Sequence, residues 1–297
     1  MIENKSIESR IRISVIHIIV ILLGILCFFP LWNVVCISFS SSLAVSGNRV
    51  GVWPVEFTLS AYKKILEDAQ FWRSFGISVF RVVVALAINI TTTVLLAYPL
   101  SKSKYEFKGR DIYMNLLLFA MLFSGGMIPN YMLIKNLHLL NTVWALILPG
   151  SVTTFNVILV MNFFIGIPKS IEEAAVIDGA NPFFILLKIF IPCSKPVLAT
   201  VALFSIVWNW NDFFGGLIYM TKIRNYPLMT YVQSLNINIA ELVRGGAGAE
   251  ALKDAMAVSN KNLNAAKIVV AVVPLLFIYP LLQKYLISGM VLGAVKE

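Results

Sequence analysis

Six long apolar stretches separated by more polar segments set the pattern of this chain, at about 13–39, 76–100, 112–133, 140–165, 197–221 and 266–290. Each is near or beyond the roughly 20 apolar residues that a helix needs to cross about 30 Å of hydrocarbon. The pattern predicts an all-α fold: a polytopic membrane protein with six transmembrane helices, forming a single membrane domain over residues 1–297. Pro30, Pro99, Gly125, Gly126, Pro149, Pro274 and Pro280 fall inside these stretches. Membrane helices tolerate such residues where neighbours satisfy the freed backbone groups. The first stretch has a basic flank (Lys5, Arg10, Arg12) and a loosely cleavage-like Ala44-Val45-Ser46 behind it. Its apolar run is about twice the usual 7–15 residues of a signal peptide, so it reads as an uncleaved anchor.

Composition agrees and narrows the class. Of the 297 residues, 59% are hydrophobic and 13% charged. A soluble domain carries about twice that share of charge, and disorder is excluded by the same richness in apolar side chains. The net charge of +9 is no sign of nucleic-acid binding here, because basic residues of membrane proteins gather in flanking loops. Lys102, Lys104, Lys108 and Arg110 crowd the link between the second and third stretches, whereas the next link has only Lys135 and His138. Cytoplasmic loops are the ones enriched in Lys and Arg, which places the 101–111 loop and both termini in the cytoplasm. The segments at about 40–75 and 222–265 then lie outside. The second contains Gly245-Gly246-Ala247-Gly248 and a polar, Ala-rich run suited to a short surface helix. Two histidines and three cysteines (Cys27, Cys36, Cys193) leave little room for a metal cage or a disulfide framework.

The segment at about 166–196 is too long for a mere connector and encodes two short helices with explicit stops. Ser170 and Glu173 stand at the spacing of a capping box, with Ser170 as the N-cap. Gly179 can end the first helix in a left-handed conformation. Asn181-Pro182 can start the second, with Pro in its first turn, and Pro192 disrupts it. Two readings are open: an amphipathic helix lying among lipid headgroups, or a rigid lever that docks into another protein. A membrane-surface helix shows Lys and Arg on its polar face. The first helix shows Glu172, Glu173 and Asp178 instead, which favours a protein partner.

Glu173-Ala174-Ala175, then Asp178-Gly179-Ala180, then Ile189 and Ile191-Pro192 resemble the EAA signature of binding-protein-dependent ABC importer permeases. That pattern is E-A-A, three residues, G, nine residues, I-x-L-P, and the one departure is Ile191 where Leu is usual. The stretches Phe123–Pro129, Leu140–Trp144, Ile147–Pro149 and Trp210–Phe213 resemble the carbohydrate branch of the family, a relative of the maltose-type permeases. Its polysaccharide and complex-oligosaccharide subgroup is the most similar, and the likeness runs from the first apolar stretch to Gly289–Gly293. The resemblance implies an importer in the bacterial cytoplasmic membrane, built from two ATPase subunits and two permeases, the second unlike this one. An extracytoplasmic solute-binding protein would deliver an oligosaccharide or polysaccharide for passage by alternating access. It further implies that Glu173 contacts the ATPase subunit, Ala174 and Ala175 allow close approach, and Asp178 and Gly179 form the bend. A capping box alone is the plainer reading of Glu173, and a helix stop that of Gly179.

Asp212 is the one acidic residue well inside a predicted span. At the bilayer centre such a side chain costs roughly 2.5–3.5 kcal/mol on insertion scales, so it should face the bundle interior or water. Trp208, Asn209, Trp210 and Asn211 surround it. Aromatic faces beside amide and carboxylate groups suit pyranose rings, which present both C–H faces and hydroxyls. A substrate-pathway role for these five residues, with Asn156 as a weaker member, stands beside the alternative of helix packing. Arg81, near the outer end of the second stretch, is expected to snorkel to the interface.

No G-x-x-x-x-G-K-[ST] occurs, so energy has to come from a partner ATPase, which would also hold the ATP and Mg. No G-x-S-x-G elbow and no H-E-x-x-H zinc site occur either, so neither catalysis, a metal nor a cofactor is expected on this chain. An amino-acid or peptide importer keeps the same architecture. A stand-alone ion-coupled carrier would show more intramembrane ionisable groups and internal repeats. A membrane enzyme acting on lipid-linked glycans would need an acid–base or metal set around Asp212.

Overall fold

The computed structural model describes residues 7–235 and 261–294. The Gly245–Gly248 run, its expected surface helix and the extreme termini lie outside the described residues. Among those described there is no strand; the elements are helices α1 (Ile7–Ser38), α2 (Ser42–Ser46), α3 (Ser60–Glu67), α4 (Ala69–Leu100), α5 (Arg110–Leu122), α6 (Met127–Asn136), α7 (Trp144–Ile147), α8 (Thr154–Ile165), α9 (Lys169–Ile177), α10 (Pro182–Ile185), α11 (Ile191–Cys193), α12 (Lys195–Asn211), α13 (Phe214–Tyr219), α14 (228–235) and α15 (Lys261–Ala294). By contacts they fall into two compact units: residues 7–69 with 234–235 and 261–272, and residues 70–233 with 273–294.

Among the described residues, three unbroken helices are long and apolar enough to cross a membrane: Ile13–Ser38, Ala69–Leu100 and Lys261–Pro280. Three more crossings appear only if each of three bent pairs counts as one, α5 with α6, α7 with α8, and the 182–193 segment with α12. Pro30 and Pro99 sit inside continuous helices, as do Pro274 and Pro280. Gly125-Gly126 does not. Gly126 takes φ +86°, a region open to glycine at no steric cost, and the chain turns by 113° between α5 and α6. Pro149 lies in a 3₁₀ turn, Leu148–Gly150, ahead of a 46° bend. The third and fourth apolar stretches are thus each divided between two helices.

In the first unit, the carbonyl of Ser40 accepts a hydrogen bond from Asn262 Nδ2 at 3.1 Å. Lys267, in the α15 stretch, is buried and pairs with Asp68 Oδ2 at 2.6 Å. Ala44 and Val45 of the cleavage-like triplet are buried in α2.

The core of the second unit gathers residues of four segments: Val94, Ala97 and Leu100 of α4, Val157 and Phe164 of α8, Ile185 and Phe190, and Val201 of α12. In lipid the hydrophobic effect does not drive such contacts; close packing does. Hydrogen bonds tie the two ends of this unit. At one, Asn141 donates its N–H to Tyr219 O at 3.0 Å and accepts from Thr221 N on Oδ1 at 2.7 Å. The start of α4 joins the same end, with Arg73 Nε donating to Arg224 O at 2.8 Å. At the other, the 101–109 loop meets α9 through a Lys102–Glu172 ion pair. Consecutive loops thus alternate between two ends, the order required of helices that cross back and forth.

Candidate functional site

Helix α12 runs regularly to Asn211 and stops at Asp212, whose backbone is extended at φ −69°, ψ 104°. Asp212 thus stands at a helix break, where sequence alone places it within a continuous span. Its Oδ1 accepts the N–H of Gly215 at 2.9 Å and so satisfies a free donor at the start of α13. Its Oδ2 accepts from Arg81 Nη2 at 2.6 Å, and its backbone carbonyl, released by the break, accepts from Nη1 at 3.3 Å. Arg81 is 1% exposed, which overturns the expectation that it snorkels to the interface. The physical reason is local. The break in α12 offers the guanidinium a carboxylate and a carbonyl inside the protein, where a planar donor fork is well matched. Arg81 Nε is buried and has no hydrogen-bond partner.

A cavity of about 1000 Å³ opens beside this pair, lined in part by Trp208, Asn209, Asn211, Asp212, Asn156 and Asn89. Asn156 Nδ2 donates to Asn89 Oδ1 at 3.2 Å, and Asn89 Nδ2 donates to Ser151 O at 3.3 Å, so helices α4 and α8 are joined on the cavity wall. Trp208 is largely exposed. Trp210 is not part of the wall. It is buried and packs edge-to-face on Phe75, ring centroids 5.8 Å apart. Helix geometry explains the split: at 3.6 residues per turn, position 210 lies about 200° round from 208, whereas 209 and 211 flank it. The wall combines an aromatic face with amide donors and acceptors, suited to hydroxylated rings.

Gly216, in α13, determines how closely the chain packs behind the cavity. A Cβ there would lie 2.0 Å from Thr230 Oγ1 and 2.8 Å from Thr230 Cβ. Thr230 Oγ1 itself donates to Phe213 O at 3.0 Å, so it has no free room to move. We expect Gly216→Ala to cost about 1–3 kcal/mol through overpacking. A lowered thermal midpoint in detergent checks this, and an unchanged midpoint contradicts it.

The 169–193 helix pair is built largely as its sequence signals. Gly179 adopts φ +81°. Ala180 N–H bonds Ala175 O at 2.9 Å and Gly179 N–H bonds Val176 O at 3.0 Å, the paired arrangement of a Schellman ending. Asn181 Oδ1 caps the next helix by accepting Phe184 N–H at 2.8 Å, with Pro182 following it. Residues Leu186–Phe190 form a π turn ahead of Pro192, and the chain then bends by 82° into α12. One expectation fails: Ser170 is not the N-cap. Pro168 holds that position with no side-chain cap, and its carbonyl already accepts Ile171 N–H at 3.2 Å. The helix starts too early for the Ser170–Glu173 box to form.

Glu173, Ala174, Asp178 and Gly179 are exposed, whereas Ala175 is half-buried against the unit's core. Large apolar side chains share the exposed surface, with Ile177 85% and Phe183 66% exposed. In the adjoining loop, Ser103 N–H donates to Glu106 Oε2 at 2.7 Å. That bond, aided by Lys169 and Lys102 nearby, holds the Glu106 carboxyl below the usual carboxylate range. No cluster of histidine, cysteine or acidic residues able to hold a metal occurs among the described residues.

Arg81 and Lys102 are the residues that sequence reasoning assigned other roles. A signal for the first was present, since a cation and an anion inside predicted spans should find each other.

The family model described as "binding-protein-dependent transport system inner membrane component" matches residues 90–291. Protein LplC of Bacillus subtilis is 39% identical over 273 residues, covering 92% of this chain and 90% of that protein. The polygalacturonan/rhamnogalacturonan transport system permease protein YtcP of the same organism is 34% identical, covering 97% and 99%. A solved structure of a bacterial ABC transporter involved in importing the acidic polysaccharide alginate contains a chain that superposes with a TM-score of 0.84. That chain is 30% identical, with 94% of this chain and 98% of that one covered. With its cavity beside a broken fifth stretch and its helix pair at 169–193, this chain belongs to the family of binding-protein-dependent transport system inner membrane components.

Proposed function

We propose that the chain is the permease subunit of an ATP-driven importer that takes up an oligosaccharide or polysaccharide across the bacterial cytoplasmic membrane. Each bent pair counts as one crossing, giving six spans with both termini in the cytoplasm. Two ATPase subunits, a second and unlike permease and an extracytoplasmic solute-binding protein complete the machine. ATP and Mg sit on the ATPase, and this chain performs no catalysis. The observation that carries the reading is the helix pair at 169–193. It presents Glu173, Ile177 and Phe183 at the same end as the basic 101–109 loop, which the positive-inside rule assigns to the cytoplasm.

In this reading ATP closes the two ATPase subunits, the docked helix pairs follow, and the spans turn toward the loaded binding protein. ATP and the loaded binding protein both have to favour the outward-facing form, because a ligand shifts an equilibrium only by its differential affinity for the two states. Asn209, Asn211, Asp212 and Trp208, with Asn156, line the sugar pathway, and Trp210 supports it from behind. The carbohydrate cargo follows from the cavity wall and from the relatives named for polysaccharide transport. The test is uptake of labelled oligosaccharides by the reconstituted complex with its binding protein. ATP-dependent uptake of glycans supports the proposal; uptake confined to amino acids or peptides contradicts it.

A further inference from the structure

Lys102 lies in the loop whose basic residues orient the protein, yet it is not placed as a loop cation. Its side chain is only 13% exposed. Its Nζ lies 4.3 Å from the ring centroid of Tyr98 and 4.4 Å from that of Phe190, and it donates to Glu172 Oε1. The two rings meet edge-to-face at 5.1 Å, and Phe190 meets Phe164 in the same manner at 5.2 Å. Tyr98 belongs to the last turn of α4, Phe164 to α8 and Glu172 to α9, while Phe190 closes the π turn. One ammonium therefore joins the end of α4 to both members of the helix pair, and Phe190 extends the junction to α8 through Phe164.

The position of Glu172 gives this junction its meaning. Helix α9 has no fully buried residue, so it is held to the rest of the unit by few contacts. Ala175 leans on the core and Glu172 holds Lys102. Glu173, about 100° further round the helix, is exposed. A push on the exposed face of α9 reaches α4 most directly through Glu172 and Lys102. Desolvated between two rings and a carboxylate, the ammonium is held more firmly than a surface ion pair, since each of these contacts strengthens away from water. A π turn is uncommon and tends to occur at functional sites; here it ends on one of the two rings.

We propose that Lys102 is the positioning residue that transmits displacement of the 169–193 helix pair into the spans, so that its loss separates ATP hydrolysis from transport. The inference rests on the importer reading above. The experiment uses the complete complex, purified with its ATPase and reconstituted with its binding protein, and measures cargo taken up per ATP hydrolysed. Lys102→Met keeps the stem and removes the charge. It is expected to retain the ATPase subunits and their hydrolysis while uptake per ATP falls roughly tenfold or more, within the usual range of coupling between sites. Lys102→Arg, able to make both the ion pair and the ring contacts, is expected to retain most of the uptake. Glu172→Gln should lower uptake per ATP in the same direction, and the double variant should cost no more than Lys102→Met alone. Should Lys102→Met fail to fold, Glu172→Gln carries the same reading. Unchanged uptake per ATP in a transporting complex overturns the inference alone, as does loss of the ATPase subunits together with uptake. A wild-type chain that captures no ATPase overturns the importer reading and the inference with it.

Discussion

Asp212→Ala is expected to destabilise the protein by about 3–5 kcal/mol, the cost of breaking a buried ion pair by removing one partner. The carboxylate has two contacts to lose, since it accepts from Arg81 Nη2 and from Gly215 N–H. Only two longer bonds to backbone carbonyls would remain, from Nη1 to Asp212 O at 3.3 Å and from Nη2 to Leu146 O at 3.5 Å. Arg81 is 1% exposed and its Nε already has no partner, so a guanidinium deprived of the carboxylate stays buried with its charge uncompensated. Arg81→Met should cost less, about 1–3 kcal/mol, because Asp212 borders the cavity and its side chain is 22% exposed. Combining both changes should recover part of the loss, since an absent pair is better tolerated than half of one. Thermal unfolding of the purified chain in detergent measures all three. A single Asp212→Ala change as mild as a surface substitution would show that the pair contributes little.

Glu173→Lys should leave the chain folded and abolish its capture of the ATPase. Glu173 is exposed in the middle of α9, and surface changes away from special features usually alter stability by less than about 0.5 kcal/mol. At a docking surface the same reversal places a cation where an anion is recognised, and residues at the centre of an interface cost about 2 kcal/mol or more when lost. The expected readout is at least about a thirtyfold weaker ATPase association, with detergent stability unchanged. Normal capture by the Glu173→Lys chain would mean that the ATPase binds elsewhere.

How much of this was legible in the sequence depends on the kind of signal. The unbroken helices α1, α4 and α15 follow from apolar run length, and Gly179 and Asn181-Pro182 announce their turns by residue type alone. The breaks were less visible. Gly125-Gly126 interrupts an apolar stretch without a drop in hydropathy, and Asp212 closes a short polar run inside another; only the backbone reveals that one turns the chain by 113° while the other frees a carbonyl for Arg81. The capping box failed because Pro168 starts the helix two residues earlier, a competition between two plausible starts. Trp208 and Trp210 look equivalent in the sequence, yet the helical turn sends one into the cavity and the other against Phe75. Lys102 was read as a topological marker because loop charge counts carry no information about rings brought in from elsewhere.

The central claim is that the 169–193 pair is a docking surface for an ATPase. Its most direct test is mild-detergent capture of the tagged chain from its native membrane, with the retained proteins identified by mass spectrometry. The expected result is an ATPase subunit and a second permease in fixed proportion to the tagged chain, with the ATPase lost from the Glu173→Lys chain. Recovery of the chain alone, stable and monodisperse, would contradict the claim and leave a stand-alone carrier as the better reading.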